Sequence, residues 1–124
     1  MNVVDSSGWL EYFSNEKNAG LFAKPIEKTA ALIVPSITIT EVFKRILQQR
    51  GEHPALQAAA HMMQGRIIDL DSALAMTAAK LGYELKLPLA DSIILATARQ
   101  HDAALWTQDE DFKSIKGVHY ISKY

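Results

Sequence analysis

At 124 residues, with 48% hydrophobic and 22% charged side chains, the chain has the size and composition of one folded domain, not of a disordered segment. A net charge of −1 counts against a protein that simply coats nucleic acid, and the lack of cysteine excludes disulfides, thiolate chemistry and cysteine-ligated zinc. The first apolar run, Val3-Val4, stops at Asp5, too soon for a signal peptide or membrane span, so a cytoplasmic protein with no membrane role is expected.

In chain order, a strand is predicted over Asn2–Asp5, then helices over Ser7–Ser14 and Asn18–Lys28, the latter broken at Pro25. A second strand, Ala31–Val34, leads into the clearest long helix, Ile37–Gln49, which stops before Gly51. The Ala-rich stretch His53–Gln64 reads as a helix with Pro54 in its first position. Strands over Arg66–Leu70, Ala103–Thr107 and Val118–Ile121 then alternate with helices over Ser72–Tyr83 and Pro88–His101. No repeat, low-complexity tract or Gly-, Ser- or Pro-rich linker divides the chain, so 1–124 reads as a single domain. Strands alternating with helices imply a parallel sheet covered on both faces, an α/β fold in three α/β/α layers with about five strands.

Open sheets of this kind place their sites at the carboxyl ends of the strands. Asp5 ends the first strand, and Glu41 lies early in the helix that leaves the second. The helix bearing Asp91 runs into the fourth strand, so its start lies at that same edge; Asp109 and Asp111 follow the fourth strand directly. Carboxylates gathered in this way repel one another, and Mg²⁺ or Mn²⁺ is the natural counter-charge because hard oxygen ligands suit both. Two such ions about 4 Å apart would activate a water and stabilise the leaving oxygen of a phosphodiester, giving a 5′-phosphate and a 3′-hydroxyl.

Each acid also has an ordinary structural reading. Asp5 suits a helix cap and Asp91 a first-turn or capping acid. Glu41 fits a solvated helix face or an ion pair with Arg45 one turn on. Asp109 and Asp111 fit a short capped turn with Glu110 facing water. Convergence of separate segments on one edge is what favours a site.

Four segments resemble motifs of PIN-domain proteins, in particular VapC-type toxins: Val3-Val4-Asp5-Ser6-Ser7-Gly8-Trp9-Leu10-Glu11-Tyr12-Phe13, Ile37-Thr38-Ile39-Thr40-Glu41-Val42, Leu87 to Ala98 around Asp91, and Leu105-Trp106-Thr107-Gln108-Asp109-Glu110-Asp111-Phe112. They span nearly the whole chain in the family's order. The resemblance implies a Mg²⁺- or Mn²⁺-dependent endoribonuclease, the toxin of a type II toxin–antitoxin pair. It also implies an acidic tetrad of Asp5, Glu41, Asp91 and Asp109, with Asp111 as a further ligand or a group behind the ligands. Ser6 and Thr107 would be hydroxyl donors fixing a carboxylate or a water. Ser7 stands where the family often has Asn, a tolerated variation at a polar support position.

The resemblance further implies a cognate antitoxin lying along a groove, and a homodimer. Trp9, Tyr12, Phe13, Leu21 and Phe22, with Phe43 and Leu47 opposite, are expected to line that groove, against the alternative that they are core. Lys44, Arg45, Gln48 and Arg50 follow Glu41 along one helix and are candidate RNA contacts, or else a solvated face with cations at its C-terminus. The four histidines show no metal-ligand spacing. Two other readings compete: a catalytically silent PIN-like binding or adaptor module, and a phosphohydrolase or receiver domain with an aspartyl nucleophile. A phosphohydrolase wants a second Asp two residues after Asp5, where Ser7 stands, and a receiver domain wants paired acids at the first strand and a well-placed Lys, which the chain lacks.

Overall fold

The computed structural model describes residues 1–124. Strand β1 (Asn2–Val4) leads through helices α1 (Ser6–Phe13) and α2 (Ala19–Ile26) to β2 (Leu32–Pro35). Helices α3 (Ser36–Arg50) and α4 (Glu52–Met62) connect to β3 (Arg66–Ile68), and α5 (Ser72–Leu85) and α6 (Leu89–Gln100) connect to β4 (Ala104–Thr107). Strand β5 (Val118–Tyr120) closes the series. The five strands form one sheet in the order β3-β2-β1-β4-β5, parallel throughout. No helix is long and apolar enough to cross a membrane.

The two-residue period of the strands divides the core. Val4 and Val34 face Trp9, Phe22, Val42, Ile46, Ala58 and Met62, the buried stripes of α1 to α4. Val3, Ile33 and Leu105 face the opposite way, onto Ile94, Leu95, Ala98 and Phe112. Successive steps from β1 to β3 run to one side with their helices on one face. The return to β4, on the far side of β1, puts α5 and α6 on the other face, as right-handed crossovers require. The order of strand addition therefore reverses between β1 and β4, and their carboxyl ends frame a crevice. Helix α6 covers the centre of the sheet, which is why Asp91 to Ala98 are buried in an unbroken run.

Several boundaries differ from expectation. Pro25 does not break α2 but sits in its last turn, where it forfeits the bond to the Leu21 carbonyl, and the helix ends one residue later at Ile26, before Lys28. Pro54 is the third residue of α4, not the first, because Gly51 is the N-cap; none of the first N–H groups has an intrahelical partner, so proline is tolerated there too. Helix α5 continues past Tyr83 to Leu85 and is stopped by Lys86 in the left-handed conformation, φ 57°. Strand β5 is parallel to β4 although no α-helix lies between them. A 3₁₀ turn at Glu110–Phe112 makes the crossover and anchors it with the fully buried Phe112.

Candidate functional site

The crevice between β1 and β4 gathers the acids. Asp5 leaves β1 and is only 3% exposed. It stands at the N-cap of α1 yet makes no side-chain cap bond. Its Oδ2 instead accepts from the hydroxyls of Ser7 and Thr107, each at 2.8 Å. Because both protons point at Asp5, the 3.3 Å approach of the two hydroxyls is a contact between acceptors. Thr107 Oγ1 in turn accepts from the Asp109 N–H at 2.9 Å, and Ser7 Oγ accepts from the Gln108 N–H at 3.3 Å. The end of β4 is thereby stitched to the start of α1 around one carboxylate.

Glu41 reaches the crevice from α3, half-buried, and its Oε1 accepts from the Ser6 hydroxyl at 2.5 Å. It makes no ion pair with Arg45; the chain's one ion pair is Lys80–Glu84 on α5. Asp91 occupies the first turn of α6. Asp109 caps the 3₁₀ turn by accepting from the Asp111 N–H at 2.9 Å, so the capped-turn reading holds for this pair alongside its place in the cluster. Asp91, Asp109 and Asp111 each offer a carboxylate oxygen, and these oxygens lie within 4.8 Å of one another.

The electrostatics follow from that crowding. Asp91 is pushed up to about 7, first by burial and then by the charges of Asp5, Asp109, Asp111 and Glu41. Asp5 is also raised, mainly by burial, against the hydroxyl bonds of Ser7 and Thr107, which favour its charged form. The donors are carboxylate oxygens alone, hard ligands with unrelieved mutual repulsion, and this set fits a hard divalent cation such as Mg²⁺ or Mn²⁺. Tetrahedral N/S chemistry has no donors here. His61 packs among Trp9, Tyr12 and Phe13, and His119 stacks on Trp106, both as aromatic packing partners.

Not every expected residue falls into place. Trp9 and Phe22 are completely buried in the core beneath α1 and α2 and cannot line an open groove, which corrects their assignment to an antitoxin surface. Both face the sheet, and Gly8 lets the Phe22 ring pack against the α1 backbone. Tyr12, Phe13 and Phe43 are half-buried against that core, and Leu21 and Leu47 are exposed. Lys44 and Arg45 are exposed and line a shallow hollow of about 320 Å³ with Thr40, Glu41 and Gln48. Arg50 lies apart from them, in a pocket with Phe13 and His61. The largest cavity, about 480 Å³ between α5 and α6, is lined by residues such as Thr77, Leu81 and Arg99 and contains none of the acids.

Sequence reasoning undervalued Ser7, which bonds Asp5 directly, and missed Gln108, whose N–H holds Ser7. The only sequence signal for either was a polar residue adjoining a motif acid.

A PIN domain family model matches residues 3–118. Among solved structures, a chain of a toxin–antitoxin complex from Klebsiella pneumoniae is 26% identical with a TM-score of 0.81, covering 98% of this chain and 100% of that one. VapC20 of Mycobacterium tuberculosis, described as a toxin that cleaves the sarcin–ricin loop, is 16% identical with a TM-score of 0.77, covering 94% of this chain and 95% of that one. A chain of DNA-bound VapBC from Salmonella typhimurium is 15% identical with a TM-score of 0.74 and covers 98% of each. No curated protein matches. The family match spans Asp5, Glu41, Asp91, Asp109 and Asp111, and the chain belongs to the PIN domain family, with the fold of VapC-type toxins.

Proposed function

We propose that the protein is a Mg²⁺- or Mn²⁺-dependent endoribonuclease that acts as the toxin of a type II toxin–antitoxin pair. The observation that carries this reading is the meeting of five carboxylates at the β1/β4 crevice, one of which, Asp91, is raised to about 7 by burial and by the other four. Asp91, Asp109 and Asp111 would hold the cation, with Asp5 and Glu41 completing the acidic wall. Bound divalent cations would supply Lewis-acid polarisation of the attacked phosphate and a water of lowered pKa. The chain's own part is orientation. Ser7 and Thr107 fix the Asp5 carboxylate, Ser6 fixes Glu41, and the 3₁₀ turn sets Asp109 against Asp111. Lys44 and Arg45, beside Glu41 and free of ion pairs, are placed to take phosphates of the strand entering the site.

The likeness to a chain of a toxin–antitoxin complex supports an antitoxin partner, with the half-buried Tyr12, Phe13 and Phe43 and the exposed Leu21 and Leu47 as the apolar side it covers. Exposed Met76, Tyr83 and Leu89 on the α5–α6 side support self-association into a homodimer.

The test is cleavage of total cellular RNA by the partner-free protein with Mg²⁺ or Mn²⁺, with EDTA, and by Asp5→Asn and Asp91→Asn. Discrete fragments bearing 5′-phosphates, lost with EDTA and in both variants, are expected. Cleavage that survives in both variants would overturn the assignment of the site.

A further inference from the structure

Behind the acidic crevice lies a ring of polar side chains, two of them buried and one half-buried, that the proposed chemistry does not use. The Glu11 carboxylate, on α1, accepts from the Asn18 N–H at 2.9 Å and from Gln108 Nε2 at 3.1 Å. Gln108 Oε1 accepts from Asn18 Nδ2 at 3.0 Å, and the same amide nitrogen donates to the Ser122 carbonyl at 3.1 Å. Asn18 is 5% exposed and Gln108 6% exposed. Only one orientation of the two amides satisfies the ring. A carboxylate at one end and a backbone carbonyl at the other can only accept, so Gln108 must turn its nitrogen to Glu11 and its oxygen to Asn18.

The ring joins α1, the α1–α2 connection, the end of β4 and the C-terminal residues. Lys17, beside Asn18, adds bonds from its Nζ to the Lys123 and Tyr124 carbonyls. Gln108 sits between Thr107, which bonds Asp5, and Asp109, and its own N–H bonds Ser7, the other partner of Asp5. Fixing the Gln108 side chain therefore fixes the segment that carries Thr107, Asp109 and Asp111.

We infer that Glu11, Asn18 and Gln108 are positioning residues that hold the Asp5 and Asp109–Asp111 carboxylates in register, acting through Ser7 and the backbone at Gln108. The inference rests on reading those carboxylates as a metal centre. Groups behind metal ligands commonly set affinity by about 10–100-fold without touching the ion, and this ring stands in that relation to Asp5 and Asp109.

The ring's polarity supplies the test. Asn18→Asp keeps the shape but places an acceptor against Gln108 Oε1. Adding Glu11→Gln lets Gln108 flip and reverses the donors and acceptors at unchanged net charge, with only the Ser122 bond still lost. Two measurements are made on wild type, Asn18→Asp and the double variant. One is Mn²⁺ affinity by electron paramagnetic resonance; the other is amide hydrogen exchange without metal at Asp109 and Asp111, with α5 amides as the reference. For Asn18→Asp the expectation is Mn²⁺ binding weakened about tenfold and faster exchange at Asp109 and Asp111 with α5 unchanged; the double variant recovers part of both. Unchanged exchange at Asp109 and Asp111 would overturn the inference, as would equal acceleration in α5, which marks general loosening. If wild type binds no Mn²⁺ while exchange at Asp109 and Asp111 still responds, the metal centre fails and the positioning of the loop stands.

Discussion

The two halves of the acidic crevice are built differently. Around Asp5 the carboxylate is buried and accepts from two hydroxyls, one of which is held by the Gln108 N–H. Around Asp91 no protein donor offsets burial; Asp109 and Asp111 bring more negative charge within 4.8 Å. A buried polar group without a partner costs free energy, and unpaired buried charge costs more. The protein thus offsets part of the cost of burying Asp5, though that carboxyl is still raised, and offers the Asp91 half no donor at all. On the proposed reading, the first half would set the geometry of the ligands and the second the need for a cation.

That division gives ordered expectations. Asp91→Asn should cause the largest loss, lowering Mn²⁺ affinity and RNA cleavage by more than the roughly 100-fold upper range of groups behind ligands; a loss smaller than that of Thr107→Val would reverse the comparison. Thr107→Val removes one of the two hydroxyls on Asp5 and the acceptor for the Asp109 N–H. It should lower metal affinity about tenfold and stability by about 1–3 kcal/mol, read by metal titration and by denaturant unfolding.

The pH dependence of the metal-free protein separates the halves further. Folded Asp91 keeps its proton to about 7, whereas its ordinary value is 3.8. Between those two values the folded chain binds more protons than the unfolded one, so stability falls as pH rises across that window. Melting temperature should be higher at pH 5 than at pH 8. Asp91→Asn should reduce that slope, leaving the part due to the raised Asp5, and saturating Mn²⁺ should offset it by mass action. A slope unchanged in Asp91→Asn would place the strain on Asp5 instead.

The smallest effect is expected at the entrance. Lys44→Ala with Arg45→Ala should raise KM for RNA severalfold and reduce its salt dependence, leaving kcat near wild type, if these side chains meet phosphates at the rim as proposed. A fall in kcat with unchanged KM would move them into the chemistry.

Much of this was legible in the residues. Periodicity fixed the strand–helix alternation, and alternation with the right-handed rule fixed the parallel sheet and the edge on which Asp5, Glu41, Asp91 and Asp109 meet. Those are local patterns joined by a topological constraint, and a sequence carries both. Other features depended on packing between distant segments. Trp9 and Phe22 have the composition of an exposed binding surface, but α1 and α2 turn them onto the sheet and leave Tyr12 and Phe13 at the boundary. Pro54 was tolerated because the first N–H groups of a helix are unpaired, whereas Pro25 costs α2 one ladder bond just before the helix ends. Ser7 finds a distant partner in the Gln108 N–H, and Asn18 finds the Gln108 side chain ninety positions away. The sequence by itself determined which acids share an edge, because direction along a parallel sheet follows from connectivity. Tertiary structure alone decided which of those acids receive donors from the protein and which do not, because hydrogen bonds and desolvation depend on the few ångströms between groups far apart in the chain.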